Sequence, residues 1–141
     1  MKISARNQLK GTVSAVQAGA VNGIVSLQVG DSAIKADITM EAIKELGLAE
    51  GTEAVAIIKA SNVMFAAGEA PLAGISARNQ LAGTVSTIKK GAVNGQVSLE
   101  LPDGNIITGS ITNASIADLG LEVGLPAIAI VKSTDVMMGV E

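Results

Sequence analysis

The hexapeptide Ser4-Ala5-Arg6-Asn7-Gln8-Leu9 recurs letter for letter as Ser76-Ala77-Arg78-Asn79-Gln80-Leu81, and this repetition constrains the chain more than any other feature. Aligning Ile3 with Ile75 keeps register through Leu27 and Leu99, including the loop Gly19-Ala20-Val21-Asn22-Gly23 and its twin Gly91-Ala92-Val93-Asn94-Gly95. The second copy then gains one residue at Pro102-Asp103-Gly104, where the first has Gly30-Asp31. A hairpin turn tolerates such an insertion. Register resumes from Ile34 against Ile107 and holds to Met64 against Met137. The chain is a tandem duplication, with too few repeats for a solenoid. It reads as a first domain at residues 1–67, a small-residue linker at 68–74 and a second domain at 75–141.

Each half, at about 65 residues, buries only about 60% of the surface its unfolded chain exposes and is marginal alone. Cysteine and histidine are both absent, so neither disulfides nor a metal site built on those ligands can add stability. What remains is association, between the halves and between chains. With 48% hydrophobic and 16% charged residues, the composition supports a buried core and excludes disorder.

Within a copy, Leu9 to Ala18 reads as a first strand. Val25, Leu27 and Val29 alternate with polar residues as a second, and Ile34, Ala36 and Ile38 as a third. The period then changes. Thr39 is a candidate N-cap, apolar residues follow at helical spacing, and Gly47 stands where a helix should stop; Thr112 to Gly120 repeats the pattern. Ala54 to Ile58 and Ala127 to Val131 are apolar on both faces, which predicts a doubly covered strand with a partner subunit over its second face. Val63-Met64-Phe65 and Val136-Met137-Met138 read as final edge strands. This order of elements predicts an all-β fold with one short helix per repeat, as two tandem OB-fold-like barrels.

The chemistry converges on a small anion. Arg6 offers a rigid fork of donors and Lys59 a compact charge, while Ser4, Asn7, Thr39 and Ser61 can donate without adding charge. The structural alternative is that Arg6 and Lys59 cap strand ends or pair with Glu41 and Glu45. Duplication bears on the choice. Lys10, Gln17, Lys35 and Lys44 become Ala82, Lys89, Thr108 and Ala117, whereas Arg6 and Lys59 stay as Arg78 and Lys132. The Gly-Ala-Val-Asn-Gly loop offers either a nest of N–H groups for an anion or a tight turn in which Asn-Gly takes positive φ. Met64, Phe65, Met137 and Met138 read as core or interface filling.

Ser4 to Leu9, Gly19 to Gly23 and Ile57-Ile58-Lys59-Ala60-Ser61-Asn62-Val63, each with its twin, resemble the molbindin family, the small cytoplasmic molybdate-binding proteins built from Mop domains. The resemblance spans nearly the whole chain and implies two OB-like Mop barrels per chain. It further implies a homotrimer with molybdate, or tungstate as its mimic, bound between subunits. Carried onto this sequence, one class of site uses Ser4, Arg6, Thr39, Lys59, Ala60 and Ser61, with Ser76, Arg78, Thr112, Ser115, Lys132 and Ser133 from the second copy. A second class, on the threefold axis, uses Ala20, Val21 and Asn22 and their twins Ala92, Val93 and Asn94. Ala42 aligns with Ser115, which makes the two copies unequal.

The expected function is cytoplasmic molybdate storage and homeostasis. The alternative is a nucleic-acid-binding OB module. A net charge of -3 and a single Phe as the only aromatic residue oppose that, because such modules stack bases on aromatic side chains in a basic groove. No enzyme is expected, since there is no His or Cys nucleophile system and no phosphate-binding Gly-x-x-x-x-Gly-Lys loop. No membrane association is expected either, since no apolar run approaches the roughly 18 residues of a spanning helix.

Overall fold

The structure, a computed structural model, describes all residues, 1–141. The first copy supplies β1 (Asn7–Gln17), β2 (Asn22–Val29), β3 (Ser32–Thr39), α1 (Met40–Glu45), β4 (Glu53–Ile58) and β5 (Met64–Ala67). The second supplies β6 (Asn79–Lys90), β7 (Asn94–Glu100), β8 (Ile106–Thr112), α2 (Asn113–Leu119), β9 (Pro126–Val131) and β10 (Val136–Gly139). The fold is all-β with one short helix per copy, as the alternation predicts. Each helix is capped by the expected threonine: the Ala42 and Ser115 N–H groups donate to the Thr39 and Thr112 hydroxyls at 3.1 Å. Each ends beside a glycine of positive φ, Gly47 at 65° and Gly120 at 63°, where a side chain would be strained.

The last strand of each copy leaves its own sheet. The two sheets run β10-β4-β1-β2-β3 and β5-β9-β6-β7-β8, so β10 pairs antiparallel with β4 and β5 with β9. Each sheet curls until β3 packs against β10, and β8 against β5, to close a small barrel. The expected edge strands therefore complete the opposite barrel. One continuous core of 27 buried residues runs through both halves.

Side-chain volumes fit the exchange. Phe65, from the first copy, lies over Gly109 on β8, where an added Cβ would come within 2.5 Å of its ring. At the twin positions stand Met138 and Ala36. The larger ring thus faces the residue without a side chain.

The doubly apolar strands are covered within the chain, which corrects the expectation of a partner subunit there. Ala54, Ala56 and Ile58 point into the core, while Val55 and Ile57 on the opposite face are each only 4% exposed. The Met1 side chain reaches Gly139 beside Ile57, and the Met1 ammonium is paired to Glu141 at 3.1 Å. Over the second barrel the linker plays this part. Gln80, opposite Ile130 in register, accepts from the Leu72 N–H at 2.6 Å and donates to the Leu72 carbonyl at 2.8 Å.

Candidate functional site

Antiparallel pairing sets the positions of the cations. The β1–β4 ladder ends with Asn7 opposite Ile58, and the β6–β9 ladder with Asn79 opposite Val131. Arg6 and Lys59 therefore leave the first sheet side by side, as Arg78 and Lys132 leave the second. Facing positions on such a ladder are about 5 Å apart, and like charges placed there destabilise the pair. No carboxylate relieves them. The only ion pair in the chain joins Met1 to Glu141, so Arg6 and Lys59 do not pair with Glu41 or Glu45, and both glutamates are exposed.

Beyond each lysine the chain makes a single 3-10 turn, Ala60–Asn62 and Ser133–Asp135. The first turn closes with the Asn62 N–H donating to the Lys59 carbonyl at 3.0 Å, which leaves the N–H groups of Ala60 and Ser61 without an acceptor inside the turn. An alanine can thus belong to a donor set through its backbone. Ser4, Arg6, Lys59, Ala60 and Ser61 line one cleft of about 390 Å³, together with Ile3, Ala5, Met137 and Gln96. Met137 and Gln96 come from the second copy, Met137 through the exchanged β10. Sequence reasoning missed both. Met137 was legible as the outward residue of an alternating strand, whose inward neighbour Met138 is buried; Gln96 carried no signal, since its twin is Ile24.

Asn7 is not free to donate to a ligand, contrary to the sequence reading. It is 2% exposed, and its amide donates to the carbonyls of Ile58 at 3.1 Å and Thr108 at 2.8 Å while its oxygen accepts from the Thr108 N–H at 2.7 Å. Asn79 does the same to β3, accepting from the Lys35 N–H and donating to the Lys35 carbonyl, both at 2.8 Å. These two are the only buried polar residues. Each side chain bridges from its own copy to an outer strand of the other barrel.

Thr39, Thr112 and Ser115 lie at the helix end of the barrels and line neither the Arg6 cleft nor its surroundings. Thr39 is four residues along β3 from Lys35, where Asn79 docks, and Thr112 is four along β8 from Thr108, where Asn7 docks. That is roughly 13 Å of strand in each case. The Thr112 hydroxyl also donates to the Ser115 hydroxyl at 2.9 Å, a contact Ala42 cannot make. Ser76, Arg78, Lys132 and Ser133 stand at the end of the second sheet as their twins do at the first; all but the half-buried Ser133 are exposed.

The glycine loops differ from the turn expected. Asn22-Gly23 and Asn94-Gly95 already belong to β2 and β7, and none of these residues has positive φ. Glycine is needed for proximity: a Cβ on Gly23 would meet Met40 Sδ and Ile43 Cδ1 at 2.8 Å, and one on Gly19 would collide with the Asn22 carbonyl. The Met40 and Asn113 N–H groups donate to the Val21 and Val93 carbonyls at 2.8 Å. Ala20, Asn22, Ala92 and Asn94 are exposed, with Val21 and Val93 at 74% and 70%.

A family model for the TOBE domain matches residues 3–65 and again 75–138. The chain belongs to the TOBE family. Its two TOBE domains superpose over their full length on the cytoplasmic molybdate-binding protein ModG, solved with molybdate bound, at TM-score 0.95 and 45% identity, covering 100% of both chains. The chain is 44% identical over 139 residues to the molybdenum-pterin-binding protein MopA of Rhodobacter capsulatus, and 42% identical over 142 residues to the molybdenum transport protein ModE of Herbaspirillum seropedicae. These alignments take in 98% and 100% of this chain but 52% of each relative. The chain thus spans about half the length of these curated relatives. The resemblance to molbindins read from the repeated motifs is borne out.

Proposed function

We propose that the protein binds molybdate, with tungstate as a mimic, and serves molybdenum storage and homeostasis in the cytoplasm. One observation carries this reading: Arg6 and Lys59 are brought side by side with no carboxylate, in a cleft completed by Ser4, Ser61 and the Ala60 backbone. A tetrahedral dianion relieves the repulsion between the two cations and satisfies the donors around them. Charge-assisted hydrogen bonds contribute about 1.5–3 kcal/mol each, so four or five hold a dianion at micromolar levels after desolvation. ModG was solved with molybdate bound, and MopA and ModE are named for molybdenum-pterin binding and molybdenum transport. No helix is long and apolar enough to cross a membrane.

Arg78, Lys132, Ser76 and Ser133 form the equivalent site. Because Thr39, Thr112 and Ser115 stand a strand's length from the cations in one chain, they complete these sites from neighbouring chains of a homotrimer. The same apolar positions are exposed in both copies, Ile3 and Ile75, Val21 and Val93, Met64 and Met137, as subunit contacts require. The loops at Ala20-Val21-Asn22 and Ala92-Val93-Asn94 meet on the threefold axis as a second class of site. The protein catalyses no reaction and binds no nucleic acid.

Calorimetric titration with molybdate tests the ligand. Several sites per oligomer with little competition from sulfate are expected; saturable binding of sulfate but not of molybdate reverses the assignment. Mobility-shift assays on single-stranded DNA at low salt address the rival, and a retained complex there would favour it.

A further inference from the structure

We infer that the chain carries one further oxyanion seat, on the outer face of β6, β7 and β8 in its second half. A basin of about 340 Å³ opens there, lined by Arg6, Thr87, Lys89, Gln96, Ser98 and Thr108, with no hydrophobic residue among them. The volume lies at the small end of ligand pockets, which run from about 300 Å³ upward. Arg6 and Gln96 also line the cleft described above, so the two sites share a wall.

Local structure builds this basin. The β6–β7 register shifts between Val85 and Thr87, a bulge that reverses which residues point outward. Val85 is buried, and beyond the bulge Thr87 and Lys89 face solvent, opposite Ser98 and Gln96. The Ser98 and Thr108 hydroxyls are bonded at 2.8 Å. Asn7 grips the Thr108 backbone and so fixes its neighbour Arg6 over this floor.

The chemistry selects the ligand class. Two cations, three hydroxyls and an amide converge, none of the six is acidic, and the chain's only ion pair lies elsewhere. With no apolar or aromatic wall to hold a ring, the fit is to a small tetrahedral oxyanion. The matching face of the first half is built from a different set of side chains. Its corresponding residues are Ala15, Gln17, Ile24, Ser26 and Lys35, with Arg78 in the place of Arg6; the arginine and the serine are retained, while the two threonines give way to an alanine and a lysine and Gln96 to an isoleucine. Drift between the copies that looks random along the sequence falls on one patch in space.

This proposal rests on the oxyanion reading above for its ligand, and the test separates the two. The variant Thr87→Ala/Lys89→Gln installs residues that the first half already carries at the same places, so the sheet is preserved, and it leaves Gln96, which also lines the cleft, in place. Titration with sodium molybdate, and in parallel sodium sulfate, at low ionic strength is expected to give one oxyanion fewer per chain, with the remaining sites unchanged. Lys89→Gln alone weakens that class about tenfold. Isotherms identical to the parent's would overturn the seat and leave the cleft standing. Loss of all binding in the folded double variant would also overturn it, since the basin would then be the principal site. Lys59→Ala, which touches the cleft and not the basin, is the converse control: if it removes no site while the double variant removes one, the cleft reading fails and the basin stands.

Discussion

Arg6 and Asn7 are neighbours with opposite tasks. Arg6 is exposed beside Lys59 with no carboxylate partner, and its replacement by alanine should weaken molybdate binding by about ten- to a hundredfold, the worth of one charge-assisted bond, without lowering the melting temperature. Unchanged affinity would remove it from the site. Asn7→Ala should do the reverse. It strands the Thr108 N–H and carbonyl and costs about 1–3 kcal/mol, read as a lower urea midpoint; a midpoint equal to the parent's would contradict the bridging role. The repeated hexapeptide marks both residues as fixed but does not say which faces a ligand. The signal that separates them was alternation: Asn7 shares a strand face with buried Leu9, so its amide had to find partners inside.

Between elements, the exchange of β5 and β10 was not legible in the sequence. Val63-Met64-Phe65 announces an edge strand but not which of two near-identical sheets it joins, because both offer the same backbone edge and similar core faces. The only trace is Phe65 and Gly109 departing together from Met138 and Ala36. Gly109→Ala should cost about 1–3 kcal/mol through overpacking against Phe65, and adding Phe65→Met should recover much of that loss; additive effects would argue that the two do not touch. The hairpin tips make a second link between the halves. Asp103, in the three-residue turn of the second copy, lies against Gly30 of the first and accepts from the Asn105 N–H at 2.9 Å. That backbone hydrogen bond holds its carboxyl below the usual value of 3.8. Its contribution is present above that pH and lost as pH falls through the lowered folded value. Urea midpoints of Asp103→Asn should therefore lie below the parent's near neutrality and converge with them in acid, and a constant gap would exclude the charge as the cause.

For the molecule as a unit, duplication was plain in the sequence, and so were the barrels' element order and most of the first-copy cleft. Contributions that fold in from the other copy, Gln96, Met137 and the gripping of β3 and β8 by asparagines, depend on a topology that no local pattern encodes. An isolated chain of residues 1–74 lacks β10 along the edge of β4, so it should not persist as a folded monomer. It should be unfolded when dilute and dimeric, exchanging β5, when concentrated; a stable monomer in sedimentation equilibrium would contradict the interdependence of the halves. The central claim is that paired cations hold a tetrahedral dianion. The most direct measurement is anomalous diffraction at the molybdenum edge from crystals grown in excess molybdate. The expected result is a peak beside Arg6, Lys59 and Ser61 and another beside Arg78, Lys132 and Ser133, each closed by a threonine or serine from a neighbouring chain; empty density beside both arginines would contradict it.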